Sequence, residues 1–274
     1  MISEKANRPS TFRSALSLLE LIYHATVRSV RKSHGNALIG LLINISQTLI
    51  LVGVFYLMFS VLGLRGNAIR GNFLLYILSG IFMYMTQIKA IRAVMNAEGP
   101  ASPMMQHAPM NTIVAISAAS VAELYIQVLS VAVVLFGYHV IVEPLDVYQP
   151  AATFGMLLLA WWSGVSIGMV FLALKPWAPT AISMISMIYI RANMFASGKM
   201  FVANAMPGYL LVYFTWNPLF HIIDQARGFA FINYNPHSSS LSYPVTVSAV
   251  LLCIGLMGEF VTRRAASISW EAKR

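Results

Sequence analysis

Charged side chains are scarce in this chain of 274 residues: Asp, Glu, Lys and Arg together make up 10%. Soluble domains carry about 25%. Cysteine is almost missing too, with Cys253 alone in an apolar run, so no disulfide can form within the chain. Catalytic and nucleotide-binding signatures are lacking. There is no Gly-x-Ser-x-Gly, no His-Glu-x-x-His and no Cys/His cluster at metal-ligand spacing. The one Gly-Lys pair, Gly198-Lys199, is followed by Met200, and Asn193 stands where a P-loop needs its first glycine. Nucleotide binding through a P-loop is thereby excluded. His24, His34, His107, His139, His221 and His237 are scattered. The first 30 residues lack a short apolar core ending at a small-residue cleavage site, so no secretory signal peptide is expected.

What is present is apolar sequence. Hydrophobic residues make up 58% and the mean hydropathy is +0.71, the composition of an integral membrane protein. The net charge of +9 is therefore read as a record of orientation and lipid contact, with no nucleic-acid partner implied. Residues 10–33 place Phe12, Leu16, Leu19, Ile22 and Tyr23 at helical spacing among basic residues, as in an amphipathic helix lying in the membrane surface. Six apolar spans are expected within 37–262, at about 37–62, 72–94, 112–140, 150–174, 179–197 and 243–262. The expected class is thus an all-α membrane protein. With both termini cytoplasmic, thirteen Lys and Arg fall inside and five outside, which favours that orientation.

Residues 201–232 are apolar but broken at Asn217-Pro218. A residue before proline leaves the helical region, while Asn suits an N-cap and Pro the first helical position. One helix should stop near Thr215 and another start at Pro218, each of roughly 10–12 residues and too short to cross a bilayer. Either one kinked span or a re-entrant hairpin satisfies the local pattern. Topology favours the hairpin, because the chain leaves the fifth span outside and must begin the last one there. Between the second and third spans, residues 95–110 contain Gly99, Pro100, Pro103 and Pro109. Ser102 can cap a short helix there that exposes Met104, Met105, Gln106 and His107, either as a docking surface or as an ordinary turn.

Charges inside spans are costly and therefore informative. Glu123 falls near the middle of the third span, Arg191 two-thirds through the fifth, and Lys199 at its outer end. Arg191 either faces a polar pathway to an anionic or hydroxyl-rich substrate or pairs within the bundle. Lys199 is expected to snorkel outward, and Glu123 to pair with a basic or polar neighbour. Aromatic faces at Phe55, Tyr56, Phe59, Tyr84, Trp161, Trp162 and Tyr189 suit stacking on sugar rings along a pathway, or simple packing.

Surface helix, six spans, an inner segment after the second and a broken pair before the last: this arrangement resembles the transmembrane subunit of type-2 ABC exporters. Within them it is most similar to permeases for capsular polysaccharide or lipopolysaccharide O-antigen. The resemblance covers nearly the whole chain. It rests on Arg28-Ser-Val-Arg31-Lys-Ser-His-Gly35 entering the first span and Phe195-Ala-Ser-Gly-Lys-Met-Phe201 leaving the fifth. It rests also on Trp216-Asn217-Pro218-Leu219-Phe220-His221, followed by Asp224 and Arg227. An arginine often precedes the third-span glutamate in that family; here Ala119 stands there, so Glu123 has no basic neighbour at i−4.

The resemblance implies a homodimer in a bacterial inner membrane, both termini cytoplasmic, exporting a lipid-linked polysaccharide. It implies no cofactor in this chain; ATP and Mg would sit on a separate ABC ATPase subunit. Glu98, Met104, Met105, Gln106 and His107 would couple to that subunit. Phe55, Tyr56, Phe59, Tyr84, Trp161, Trp162, Tyr189 and Arg191 would line the pathway. Trp216, Asn217, Pro218, His221, Asp224 and Arg227 would form an exit gate. Periplasmic or outer-membrane export proteins are implied as further partners. Competing classes are an ABC exporter of a drug, antibiotic or lipid, a proton-coupled secondary transporter using Glu123 and Arg191, and an intramembrane enzyme.

Overall fold

A computed structural model describes residues 11–34, 37–61, 72–99 and 112–271, and among them there is helix but no strand. The helices are α1 (Thr11–His34), α2 (Ala37–Val61), α3 (Phe73–Met95), α4 (Thr112–Ile141), α5 (Pro150–Leu174), α6 (Pro179–Ala196), α7 (Gly208–Leu211), α8 (Pro218–Ala230) and α9 (Ser242–Glu271). Their starts follow local chemistry. Asn72 caps α3 by accepting from Leu74 and Leu75 N–H, while α5, α6 and α8 begin at prolines, whose missing N–H costs nothing in a first turn.

Among the described residues, five helices are long and apolar enough to cross a membrane: 38–61, 73–95, 112–141, 150–174 and 242–265. The stretch expected as a further span, 179–197, folds as α6, an 18-residue helix outside that set. It spends length on polar residues, including Ser183, Ser186, Arg191 and Asn193. The last helix runs to Glu271, beyond the expected end near 262.

Burial identifies the centre. In the most apolar window of α3, 89% of residues are buried, and in that of α5 61%, against 28% for α2 and 22% for α4 and α9. α3 and α5 pack on each other, α9 lies on the far side of α5, and α2 and α4 lie beside α3. Hydrophobicity drives little association between helices in lipid, so close approach and interhelical hydrogen bonds must do so. Gly164 of α5 meets this need: a Cβ there would lie 2.5 Å from the Gln87 carbonyl of α3. The side chain of the same Gln87 donates through Nε2 to Ser163 Oγ at 2.9 Å. α6 is the opposite of a soluble helix. Met184, Ile185, Met187, Ile188 and Phe195 are exposed, while its buried residues are Ser186, Ile190 and Asn193.

Candidate functional site

The break at Asn217-Pro218 forms as its residues dictate. Asn217 is extended, and its Oδ1 accepts from Leu219 N–H at 3.0 Å, capping α8. The same side chain reaches back, its Nδ2 donating to Asn193 Oδ1 at 2.7 Å and to the Ala196 carbonyl at 2.9 Å. One amide thus starts α8 and pins it to the end of α6. The half before the break differs from expectation. In place of a helix of ten or more residues there is a 3-10 turn at Ala203–Ala205, then the four-residue α7, then turns to Trp216. Pro207 is the cause: it donates no N–H and stands extended at ψ 139°, so the helix cannot reach back past Gly208.

The two ends of this broken stretch come together. Asn204 Nδ2 donates to the Asn235 carbonyl at 2.7 Å, and His237 N–H donates to Asn204 Oδ1 at 3.3 Å. Tyr148 and Gln149, just before α5, donate backbone N–H to the Ala230 and Phe229 carbonyls. His221 accepts at Nδ1 from Ser240 N–H, and its ring centroid lies 4.7 Å from that of Tyr243 at the start of α9, the planes tilted by 43°. α8 therefore sits at the end of the bundle where α3, α5 and α9 begin and α6 stops.

Arg227 is the keystone of this region. It is 1% exposed, and its guanidinium donates to three backbone carbonyls, Gly198 at 3.0 Å, Phe201 at 2.7 Å and Lys199 at 2.8 Å. Its carbon centre lies 4.2 Å from the Tyr76 ring centroid. The loop it grips turns through Gly198 at φ 75°, a region open to glycine, and a Cβ there would strike the Phe220 ring at 2.7 Å. Asp224 is buried but takes other partners: Tyr234 Oη donates to one carboxylate oxygen and Ser239 Oγ to the other at 2.6 Å. Burial first, and the adjoining carboxylate second, push the Tyr234 hydroxyl well above the usual phenol range, so it stays a donor. Asp224 and Arg227 thus lie one turn apart yet bind different loops.

Lys199 departs from expectation. It does not snorkel: it is 4% exposed, with Nζ 3.4 Å from the Tyr84 ring centroid and 4.9 Å from that of Phe55. The Arg227 bond to its own carbonyl draws its backbone inward, and two aromatic faces receive the cation there. The remaining residues read as a pathway are dispersed. Phe59 packs edge-on against Phe73, Trp161 donates to the Ser120 carbonyl, Tyr189 packs on Phe171, Trp162 is half-buried, and Tyr56 and Arg191 are exposed. Of the coupling residues, Glu98 is half-buried after α3, whereas Met104, Met105, Gln106 and His107 lie outside the described residues. Trp216 is exposed at the rim, with its carbonyl accepting from Tyr243 Oη at 2.8 Å.

Sequence reasoning passed over Asn193, Tyr234, Ser239 and Asn204. Each is an ordinary polar residue, and only its long-range partner distinguishes it. At the other end of the bundle, Glu123 lines a cavity together with Lys89 of α3, so the cation missing from its own helix faces it across space. Among the described residues no group of three His, Cys, Asp or Glu could hold a metal ion. No protein-family model and no curated protein matches this chain.

Proposed function

We propose that this chain is the membrane subunit of an ATP-driven exporter of a lipid-linked polysaccharide, working as a homodimer with a separate ATPase subunit. One observation carries the reading. The stretch 201–232 has its two ends joined through Asn204 and Asn235, and the polar residues at its break, Asn217 and His221, are buried in protein. Broken helix survives at membrane depth only where protein or water surrounds it. α6 serves as the sixth crossing despite its length, with its apolar outer face against lipid or the second copy. The hairpin then caps the outer face, and the basic end holding Lys89, Arg92, Lys175, Arg263 and Arg264 faces the cytoplasm.

In this reading Arg227 and Asn217 are the frame of the outer gate. Phe214, Trp216 and Tyr243 line its rim, offering aromatic faces to leaving sugar rings. The energy comes from the partner, because the chain has no P-loop.

Topology is tested with Cys253 replaced by serine and single cysteines placed at Asn204, Asn235 and Lys175. A membrane-impermeant maleimide applied outside labels the first two and spares the third. Labelling of Lys175→Cys from outside overturns the orientation. The activity is tested by reconstituting the chain with an ABC ATPase that co-purifies with it. The chain alone hydrolyses no ATP, and its deletion removes surface polysaccharide while the glycan accumulates inside. An unchanged surface polysaccharide with loss of a drug, antibiotic or lipid from the medium favours the alternative cargo.

A further inference from the structure

The strongest feature outside the hairpin is a cavity of about 340 Å³ at the opposite, basic end, between α2, α3 and α4. Its polar lining is Asn44, Gln47, Lys89, Arg92, Asn96 and Glu123. It is built rather than incidental. Asn44 is 2% exposed, accepts from Lys89 Nζ and donates to Gln127 Oε1 at 3.3 Å. Lys175 Nζ donates to Asn96 Oδ1 at 3.0 Å and the Met95 carbonyl at 3.4 Å, holding the inner lip. Arg92 is exposed at the mouth, one turn outward from Lys89.

Charge and shape decide the ligand. Two cations and one carboxylate leave one net positive charge, which a singly ionised phosphodiester balances. The guanidinium matches phosphate oxygens with paired donors, and the amides of Gln47 and Asn96 are further donors. Ile43 also lines the cavity and is 38% exposed, so the polar chamber opens onto the apolar outer face of α2. A head group that carries acyl chains fits that junction. Glu123 opposes any dianion and so selects for the diester.

We infer that this cavity binds the phosphodiester of an anionic phospholipid, with Arg92 and Lys89 on the phosphate and the acyl chains along α2. The inference is independent of the cargo proposed above, since the test uses neither the ATPase nor a glycan.

The full-length chain in detergent is titrated with dioctanoyl phosphatidylglycerol and with dioctanoyl phosphatidylcholine, and bound lipid is counted by native mass spectrometry. Phosphatidylglycerol is retained in preference. Arg92→Gln weakens it roughly tenfold, the loss of one charge-assisted contact, and Arg92→Lys restores part of it. Lys89→Gln acts in the same direction. Arg92 is exposed, so its variants keep the wild-type elution profile and melting temperature even if Lys89→Gln does not. Dimethyl phosphate and glycerophosphoglycerol, singly charged diesters without acyl chains, form the second arm. Displacement of the lipid by either shows recognition through the phosphate alone; no displacement shows that the chains are needed. Equal retention of both lipids, or an unchanged affinity in Arg92→Gln, overturns the site.

Discussion

The two ends of the bundle solve the problem of polar groups in an apolar protein in opposite ways. Around α8 most strong groups are matched within the chain: Arg227 holds three carbonyls, Asp224 two hydroxyls, and Asn217 both a helix start and α6, while Lys199 Nζ meets aromatic faces alone. At the Lys89 end the charges line a cavity and Arg92 is exposed. A matched buried charge is rigid, because removing either partner strands the other. An open charged cavity keeps its binding capacity. The difference assigns framework to the first end and ligand contact to the second.

Substitutions sharpen or break that contrast. Arg227→Ala strands the carbonyls of Gly198, Lys199 and Phe201 and should cost about 3–5 kcal/mol, as breaking a buried charged network does. Thermal unfolding in detergent measures it, and a loss below that of an ordinary surface change refutes the framework role. Asn217→Ala removes the cap and both bonds to α6. The expected cost is about 1–2 kcal/mol, with the outer segment more open to proteolysis. Lys199→Met exchanges a buried cation without a hydrogen-bond partner at Nζ for an apolar side chain of like volume. Relief of burial and loss of the aromatic contact oppose each other, so stability should change by about 1 kcal/mol or less. Strong destabilisation would show that the Tyr84 and Phe55 faces hold the lysine more tightly than burial penalises it. Arg92→Gln should shift stability least, by about 0.5 kcal/mol, as surface substitutions do. A loss as large as that of Arg227→Ala would make the two ends alike.

The membrane character and the helix at Pro218 were legible because they depend on local sequence. Apolar runs of sufficient length and an Asn before a Pro act within a turn or two of the chain. Two expectations fared less well for identifiable reasons. The helix expected before Thr215 is short because Pro207 keeps it from reaching back past Gly208. Lys199 was placed outward on the general cost of a buried cation, yet Arg227, 28 residues away, draws in its backbone. Aromatic content could not sort pathway from packing, since Phe59, Trp161 and Tyr189 are equally apolar in either role.

Sequence alone determined that this chain is built of apolar helices, that its stretch after α6 is broken, and that no nucleotide site of the P-loop kind exists in it. These follow from composition, proline stereochemistry and motif spacing. Tertiary structure alone decided which charges are satisfied. Arg227 finds carbonyls in a distant loop, Asn217 finds Asn193, and Glu123 shares a cavity with Lys89. In a low-dielectric interior each such partner carries more weight than in water, and its identity depends on helix packing that no local pattern encodes.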